Sequence, residues 1–329
     1  MRKSIFITRH GGPEVLVLRD DAPGEIRPGD VRIQVKASGV NFADLMMRSG
    51  LYPEAPKVPF VPGYEIAGRV IEVGSAVSSF AAGDRVVAGC RFGGYTSEIV
   101  LPAELVRKIP SRLSETEAAA IPVAFMTAWV ALREMARVRK GDRVLIPSAA
   151  GGVGIAAVQI AALAGAHVVG LVGSPTKSEI VKSFGAAEVW PNDAKGGGFD
   201  IVLDTTGGPG LKDSFARLSR CGRVVNYGVS TMVVGEKRSI FKAASTLVRT
   251  PFFHPMKLMN ENKGVFGANL LRLFEDPGLL GRVFDHVLDG FDRGEFRVLV
   301  GKTFPLPEAG AAQQHLQSRT NVGKVVLLP

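Results

Sequence analysis

The sequence predicts an α/β protein in which a doubly wound parallel sheet follows a partly open β-barrel. Three observations carry that prediction. Residues 1 to about 120 hold short β-rich segments punctuated by glycine and proline, the pattern of a small barrel. From Gly141 a strand–turn–helix–strand unit begins, and βα alternation continues to Tyr227. The segment from Leu279 to Leu328 returns to helix–strand–helix–strand and is expected to rejoin the first domain. The expected division is 1–121 with 267–329 in the barrel domain and 122–266 in the parallel-sheet domain.

In chain order, barrel strands are expected at Ser4–Thr8, Val15–Leu18, Val31–Ala37, Ile66–Val73, Arg85–Gly89 and Ser97–Leu101. Turn signals such as Gly11–Gly12–Pro13 and Arg27–Pro28–Gly29–Asp30 separate them. Phe42–Ser49 reads as a short helix between strands. Ser114 and Glu117 have capping-box spacing and open a helix within Leu113–Ala120. Pro122 marks the passage into a long helix over Phe125–Ala136. Val144–Leu145–Ile146 is a buried-strand run, and the turn Ala149–Ala150–Gly151–Gly152–Val153–Gly154 follows it. Ile155, Val158, Ile160 and Ala161 then form the apolar face of a helix, and His167–Val172 closes the unit.

That turn reads A-x-G-x-x-G, the dinucleotide-binding (Rossmann) fingerprint with alanine in first place. Ala149 permits the tight turn, Gly151 lets the backbone approach a pyrophosphate, and Gly154 lets helix and strand pack closely. Gly152 and Val153 complete the positive helix end on which the pyrophosphate would rest. The run from Val144 to Thr176 carries no formal charge apart from His167 and so mimics a membrane span. Its internal Pro147 and glycines fit strand, turn and helix better, and no membrane span is expected.

An NAD site places an acid about 20 residues beyond the first glycine. Here that place is Val172–Gly173–Ser174–Pro175–Thr176–Lys177, without an acid. Ser174 and Lys177, beside Gly173, suit a 2′-phosphate. NADPH is therefore favoured, with NADH the alternative.

Beyond Lys177, Ser178–Phe184 and Leu211–Leu218 read as helices and Glu188–Trp190, Phe199–Asp204 and Gly222–Tyr227 as strands. The strand before Thr205 ends in small polar residues, as a ligand-binding carboxyl edge requires. The stretch Gly228–Gly264, with Pro251–Phe252–Phe253–His254–Pro255, is less regular. It reads either as a helical surface segment or as an apolar lid or dimer surface. Phe304–Leu306 and Lys324–Leu328 are the last strands.

Composition excludes other classes. At 46% hydrophobic and 22% charged residues, the chain is globular rather than disordered or fibrous. The apolar run near the N-terminus is too short for a signal peptide, so a cytoplasmic location is expected. Two cysteines, Cys90 and Cys221, make neither a disulfide framework nor a four-cysteine zinc site and are expected as buried thiols. A net charge of +9 suits an anionic cofactor and an anionic substrate such as a coenzyme A thioester. With no basic run and no nucleic-acid motif, nucleic-acid binding rests on net charge alone and is not favoured.

Several phrases are more specific: Gly39–Val40–Asn41–Phe42–Ala43–Asp44, Gly50–Leu51–Tyr52–Pro53, Pro62–Gly63–Tyr64–Glu65–Ile66–Ala67–Gly68, Ala82–Gly83–Asp84–Arg85–Val86 and Asn321–Val322–Gly323–Lys324–Val325. With Ser148–Gly154, these resemble the zinc-independent quinone oxidoreductases of the medium-chain dehydrogenase/reductase superfamily over essentially the whole chain. Asn226–Tyr227–Gly228 and Gly235–Glu236–Lys237–Arg238 point to the branch of VAT-1-like proteins and enoyl-thioester reductases.

The resemblance implies a GroES-like barrel domain and a Rossmann domain, assembled as a homodimer. It implies hydride transfer from NADPH to the β-carbon of an α,β-unsaturated carbonyl compound: an enone, a quinone or an enoyl-CoA thioester. It places Tyr52 and Asn41 beside the nicotinamide. Tyr52, whose ordinary pKa near 10 keeps it protonated, is the candidate acid or oxyanion donor; the alternative is a packing tyrosine in a Leu-Tyr-Pro turn. Tyr64, at a position that holds a zinc ligand in related alcohol dehydrogenases, is a further candidate. By the same resemblance Thr127 contacts the nicotinamide, Tyr227 and Gly228 flank the cofactor, and Arg319 and Asn321 lie near it. The zinc enzymes' Gly-His-Glu stands here as Gly63–Tyr64–Glu65, and their cysteine falls within Val40–Asn41–Phe42, so no metal is expected. The family also contains lens structural proteins and membrane-associated adaptors, which makes a catalytically weak NADPH-binding scaffold the alternative function.

Overall fold

The computed structural model describes residues 1–232, 245–246 and 248–329. They fall into two compact units, each with its own sheet. The first comprises Met1–Val123 and Leu273–Pro329; the second holds the described residues between Ala124 and Arg272.

The first unit is organised by one long strand, Asp30–Val40. Val31, Ile33 and Val35 alternate into the core with Ile66, Val70, Val86, Ile99 and Leu101 from its neighbours. Along one side it pairs antiparallel with Glu65–Val73. Along the other it pairs first with Glu98–Pro102 and then with Lys324–Leu328. The seven-stranded sheet is extended by Arg85–Gly89 and Val106–Lys108 at one edge and by Val300–Pro305 at the other. Ile5, Val40, Tyr95, Phe304, Leu306 and Leu327 close a second core under the helix Ala309–Gln317. Arg2–Ile7 and Leu16–Asp21 form a separate antiparallel pair.

Most barrel segments appear where the sequence puts them: Arg85–Gly89 is placed to the residue, Glu98–Pro102 is shifted by one, and the central strand Asp30–Val40 runs four residues longer than expected. The three-residue strand Val106–Lys108 is too short to show alternation and was not expected. The capping box predicted at Ser114 forms: its hydroxyl accepts the Glu117 N–H while the Glu117 carboxylate accepts the Ser114 N–H. The long helix begins earlier than expected, at Pro122, because proline is tolerated in a first helical turn. After Trp129 it continues as π-helix over Val130–Met135.

Among the described residues of the second unit, the six strands are all parallel. Counted from Arg143–Ile146 along the chain, their order across the sheet is 3-2-1-4-5-6, the doubly wound arrangement. Leu145, Val169, Leu171, Phe199, Val202 and Val224 pack into one core with Leu211 and Phe215 of the helix Gly208–Ala216. The sixth strand, Gly264–Gly267, begins at the end of the less regular stretch Gly228–Gly264. That stretch also contains the helix Pro255–Glu261, with Met256 and Met259 exposed and Phe252 exposed just before it. Residues 233–244 and 247, and with them the Gly235–Arg238 phrase and much of the lid reading, lie outside the described residues.

Cys90 is buried, but Cys221 is exposed, against expectation. The strand Leu218–Asn226 starts earlier than its apolar run, and Cys221 sits in it at a φ of 64°, away from the apolar face. Among the described residues no helix is long and apolar enough to cross a membrane.

Candidate functional site

Parallel strands bring their carboxyl ends to one edge of the second unit's sheet. Side by side there, in sheet order, stand the loops Gly173–Lys177, Ser148–Gly151 and Thr205–Gly207, then Tyr227–Gly228. The chain winds in opposite directions from the neighbouring strands Arg143–Ile146 and Phe199–Asp204, so the second and third loops flank the topological switch point.

At its centre the chain turns at Ser148, φ 53°, and enters the helix Gly152–Leu163 through Gly151, with no side chain capping the end. The first helical bond runs from the Ile155 N–H to the Gly151 carbonyl, 2.8 Å. The N–H groups of Gly152, Val153 and Gly154 therefore face out of the helix end as donors. A Cβ on Gly154 would lie 2.7 Å from Ala149 Cα, so only glycine lets the helix sit this close to the strand. This small-residue cradle of oriented amides fits a phosphate group.

Beside it, Ser174 caps the short turn Pro175–Lys177, its hydroxyl 2.8 Å from Thr176 Oγ1. Burial holds the Lys177 amine below its usual range. No acid lies in Gly173–Lys177, and a partly desolvated ammonium with a neighbouring hydroxyl fits a phosphate better than a ribose diol.

Asp204, to which sequence reading gave no role, governs the third loop. It is 1% exposed and accepts hydrogen bonds from the Thr206 N–H (3.1 Å), the Gly207 N–H (2.7 Å), the Ser214 hydroxyl (2.6 Å) and Asn226 Nδ2 (2.8 Å). One carboxylate thus fixes Thr205–Gly207 against the adjacent strand end, and the Tyr227 N–H donates to the Asp204 backbone carbonyl at 2.9 Å. Its signal in sequence was an acid at the end of an apolar strand. Thr127 is half-buried in the helix Pro122–Trp129, in the part that belongs to this unit from Ala124 onward.

The remaining predicted residues belong to the first unit. Tyr52 and Tyr64 form an edge-on aromatic pair, centroids 6.4 Å apart, and their phenols are hydrogen-bonded. The Tyr64 hydroxyl also lies 3.7 Å from Met47 Sδ, and Phe92 packs at 5.7 Å. Burial, reinforced by Tyr52, pushes the Tyr64 phenol far above its usual range, so it keeps its proton. Tyr52 is half-buried. Asn321 donates to the Gly323 carbonyl at 3.2 Å, and Arg319 is exposed at a φ of 60°.

Asn41 caps the helix Phe42–Arg48. Its backbone N–H donates to Asp44 at 2.8 Å, its Nδ2 to Glu65 Oε1 at 2.8 Å, and its Oδ1 accepts from Lys324 Nζ at 2.5 Å. Lys324 also lies 2.5 Å from Glu65 Oε1, and Glu65 Oε2 accepts the Val123 N–H at 2.7 Å. The Asn41 amide is thus spent inside the unit. Asp44, fully buried, receives the Tyr95 hydroxyl at 2.8 Å, and burial raises its carboxyl to about 7.

Residues 27–111 match the family model for the alcohol dehydrogenase GroES-like domain, and 176–327 that for zinc-binding dehydrogenases. The human synaptic vesicle membrane protein VAT-1 homolog-like is 34% identical, the match covering 99% of this chain and 80% of that one. A quinone oxidoreductase of Pseudomonas aeruginosa is 33% identical over the full length of both. The crystal structure of Escherichia coli quinone oxidoreductase complexed with NADPH superposes with a TM-score of 0.85 at 28% identity, covering 99% of this chain and 100% of that one. The zinc in the second model's description does not fit the residues present: Asn41 and Glu65 turn their oxygens to Lys324, and a phenol replaces imidazole at Tyr64. Among the described residues no group of three or more His, Cys, Asp and Glu side chains is placed to hold a metal ion. Fold and relatives agree: this chain belongs to the quinone oxidoreductase family of the medium-chain dehydrogenase/reductase superfamily.

Proposed function

We propose that the protein is an NADPH-dependent reductase of α,β-unsaturated carbonyl compounds: an enone, a quinone or an enoyl-CoA thioester. The observation that carries this reading is the uncapped amide end of the helix Gly152–Leu163 standing next to the acid-free loop that holds Ser174 and Lys177. When bound, the reduced nicotinamide supplies a hydride to the acceptor's β-carbon. Ala149, Gly151, Gly152, Val153 and Gly154 hold the pyrophosphate, and Gly173, Ser174 and Lys177 the 2′-phosphate. Thr205, Tyr227 and Gly228 line the cofactor's path along the strand ends, with Thr127, Arg319 and Asn321 assigned to it by family resemblance.

Hydride arrival leaves negative charge on the acceptor's carbonyl oxygen, which requires a preorganised donor. Tyr52 takes that role: its partner Tyr64 is buried and retains its proton, so the pair offers a hydroxyl without becoming an anion. Asn41 acts through Glu65 and Lys324 rather than as a donor to substrate. A homodimer is the proposed assembly, formed at the edge strand Gly264–Gly267 and the exposed Phe266; sedimentation tests it. A cytoplasmic location is proposed with it.

The test is loss of NADPH absorbance against a quinone, a simple enone, and linear and branched enoyl-CoA thioesters, with NADH in parallel. A strong thioester rate identifies an enoyl-CoA reductase, and turnover of quinone alone a quinone reductase. Tight NADPH binding without turnover leads instead to the scaffold reading, which the likeness to the vesicle protein favours.

A further inference from the structure

In the first unit three neighbouring strands end at one place. Asn41 follows the end of Asp30–Val40, and Lys324 begins Lys324–Leu328, whose next residue, Val325, pairs with Val40. Glu65 begins Glu65–Val73, whose next residue, Ile66, pairs with Ser38. Antiparallel pairing therefore brings one amide, one ammonium and one carboxylate together from remote parts of the chain. Glu65 is 0% and Lys324 6% exposed. Gly39 makes room for them: a Cβ there would meet Glu65 Cδ and the Ala119 carbonyl oxygen, each at 2.6 Å.

Two oxygens, Asn41 Oδ1 and Glu65 Oε1, converge on Lys324 Nζ at 2.5 Å each. Oxygen donors converging on one point are what a bound cation requires, and here the chain provides the cation. We propose that Lys324 is a positioning residue whose ammonium serves as the site's built-in cation, locking Asn41 and Glu65 and, through them, the Tyr52–Tyr64 pair. The linkage is short. Asn41 caps the helix Phe42–Arg48, which carries Met47 against the Tyr64 hydroxyl and leads to Tyr52. Glu65 directly follows Tyr64, and its second oxygen holds the Val123 N–H in the first turn of the helix Pro122–Trp129. The pyrophosphate loop belongs to the other unit, so losing Lys324 affects the phenol pair more than cofactor affinity.

The turnover arm of the test rests on the reductase reading; the stability arm does not. Lys324→Ala removes the ammonium and leaves a space the size of propylammonium. Its kcat per NADPH-binding site falls by about two orders of magnitude, in keeping with a broken buried pair, while NADPH Kd changes less than about threefold. Propylammonium restores kcat and Tm in Lys324→Ala saturably, propanol does not, and neither helps Lys324→Met, where the space stays filled. Lys324→Arg retains more activity than either. Adding Glu65→Gln to Lys324→Met recovers stability, because the uncompensated buried carboxylate is removed with its partner. Wild-type kcat and Tm in Lys324→Ala overturn the proposal, as do losses that propylammonium leaves unchanged and Glu65→Gln does not relieve. If the wild type reduces no acceptor, the functional reading fails alone, and the Tm rescue and the double variant still decide the role of Lys324.

Discussion

The two units shape their functional edges by opposite means. The second relies on backbone: small residues, an uncapped helix end and loops fixed by one buried acid, Asp204. The first relies on buried charge: Glu65, Lys324 and Asp44, with Asn41 and Tyr95 threaded among them. A backbone cradle tolerates no added volume, whereas a charged cluster tolerates volume but not loss of a partner. The predictions below can break or sharpen that contrast.

The largest effect is expected in the cradle. Gly154→Val puts side-chain atoms into the strand-to-helix turn, and NADPH affinity falls by more than about 100-fold in a fluorescence titration; near-parental binding would show that the turn is soft. Asp204→Ala orphans the donors of Thr206, Gly207, Ser214 and Asn226 and lowers stability by about 3 kcal/mol in urea unfolding. Tyr52→Phe keeps the ring but removes the donor: kcat falls by about 100-fold while NADPH Kd stays unchanged. A packing role would leave kcat intact.

Lys177→Ala weakens NADPH by about tenfold and leaves NADH alone, which calorimetry with both cofactors measures. The last effect concerns Asp44 and is read from its pH dependence. Burial raises its carboxyl from 3.8 to about 7, so the native state holds this proton more tightly than the unfolded chain. The stability so gained is complete below about pH 4 and is lost as pH rises through about 7. Asp44→Asn lacks that loss, so the gap between its urea midpoint and that of the parent widens in its favour from pH 5 to pH 8. A constant gap would mean that Asp44 does not titrate in this window.

The same contrast explains what could be read in advance. The cradle was legible because its signal is local: strand, A-x-G-x-x-G and helix follow one another in the chain, and the strand Phe199–Asp204 was placed to the residue. The charged cluster was not. Asn41, Tyr64 and Glu65 stood out only through family resemblance, and nothing near Lys324 in sequence announces a partner 283 residues away. An isolated lysine heading an apolar strand, Lys324–Leu328, was the signal available. Cys221 and Val106–Lys108 were misjudged or missed because strand boundaries depend on pairing, which a single segment does not reveal.

The shared strand Asp30–Val40 also imposes an order on synthesis. Its partner Lys324–Leu328 leaves the ribosome only after the whole second unit has been made. Until then Glu65 lacks its countercharge and one side of the strand stays partly open, so the unit begun first is completed last. Nascent chains arrested before Lys324 should expose that edge to chaperones even with the parallel sheet already folded.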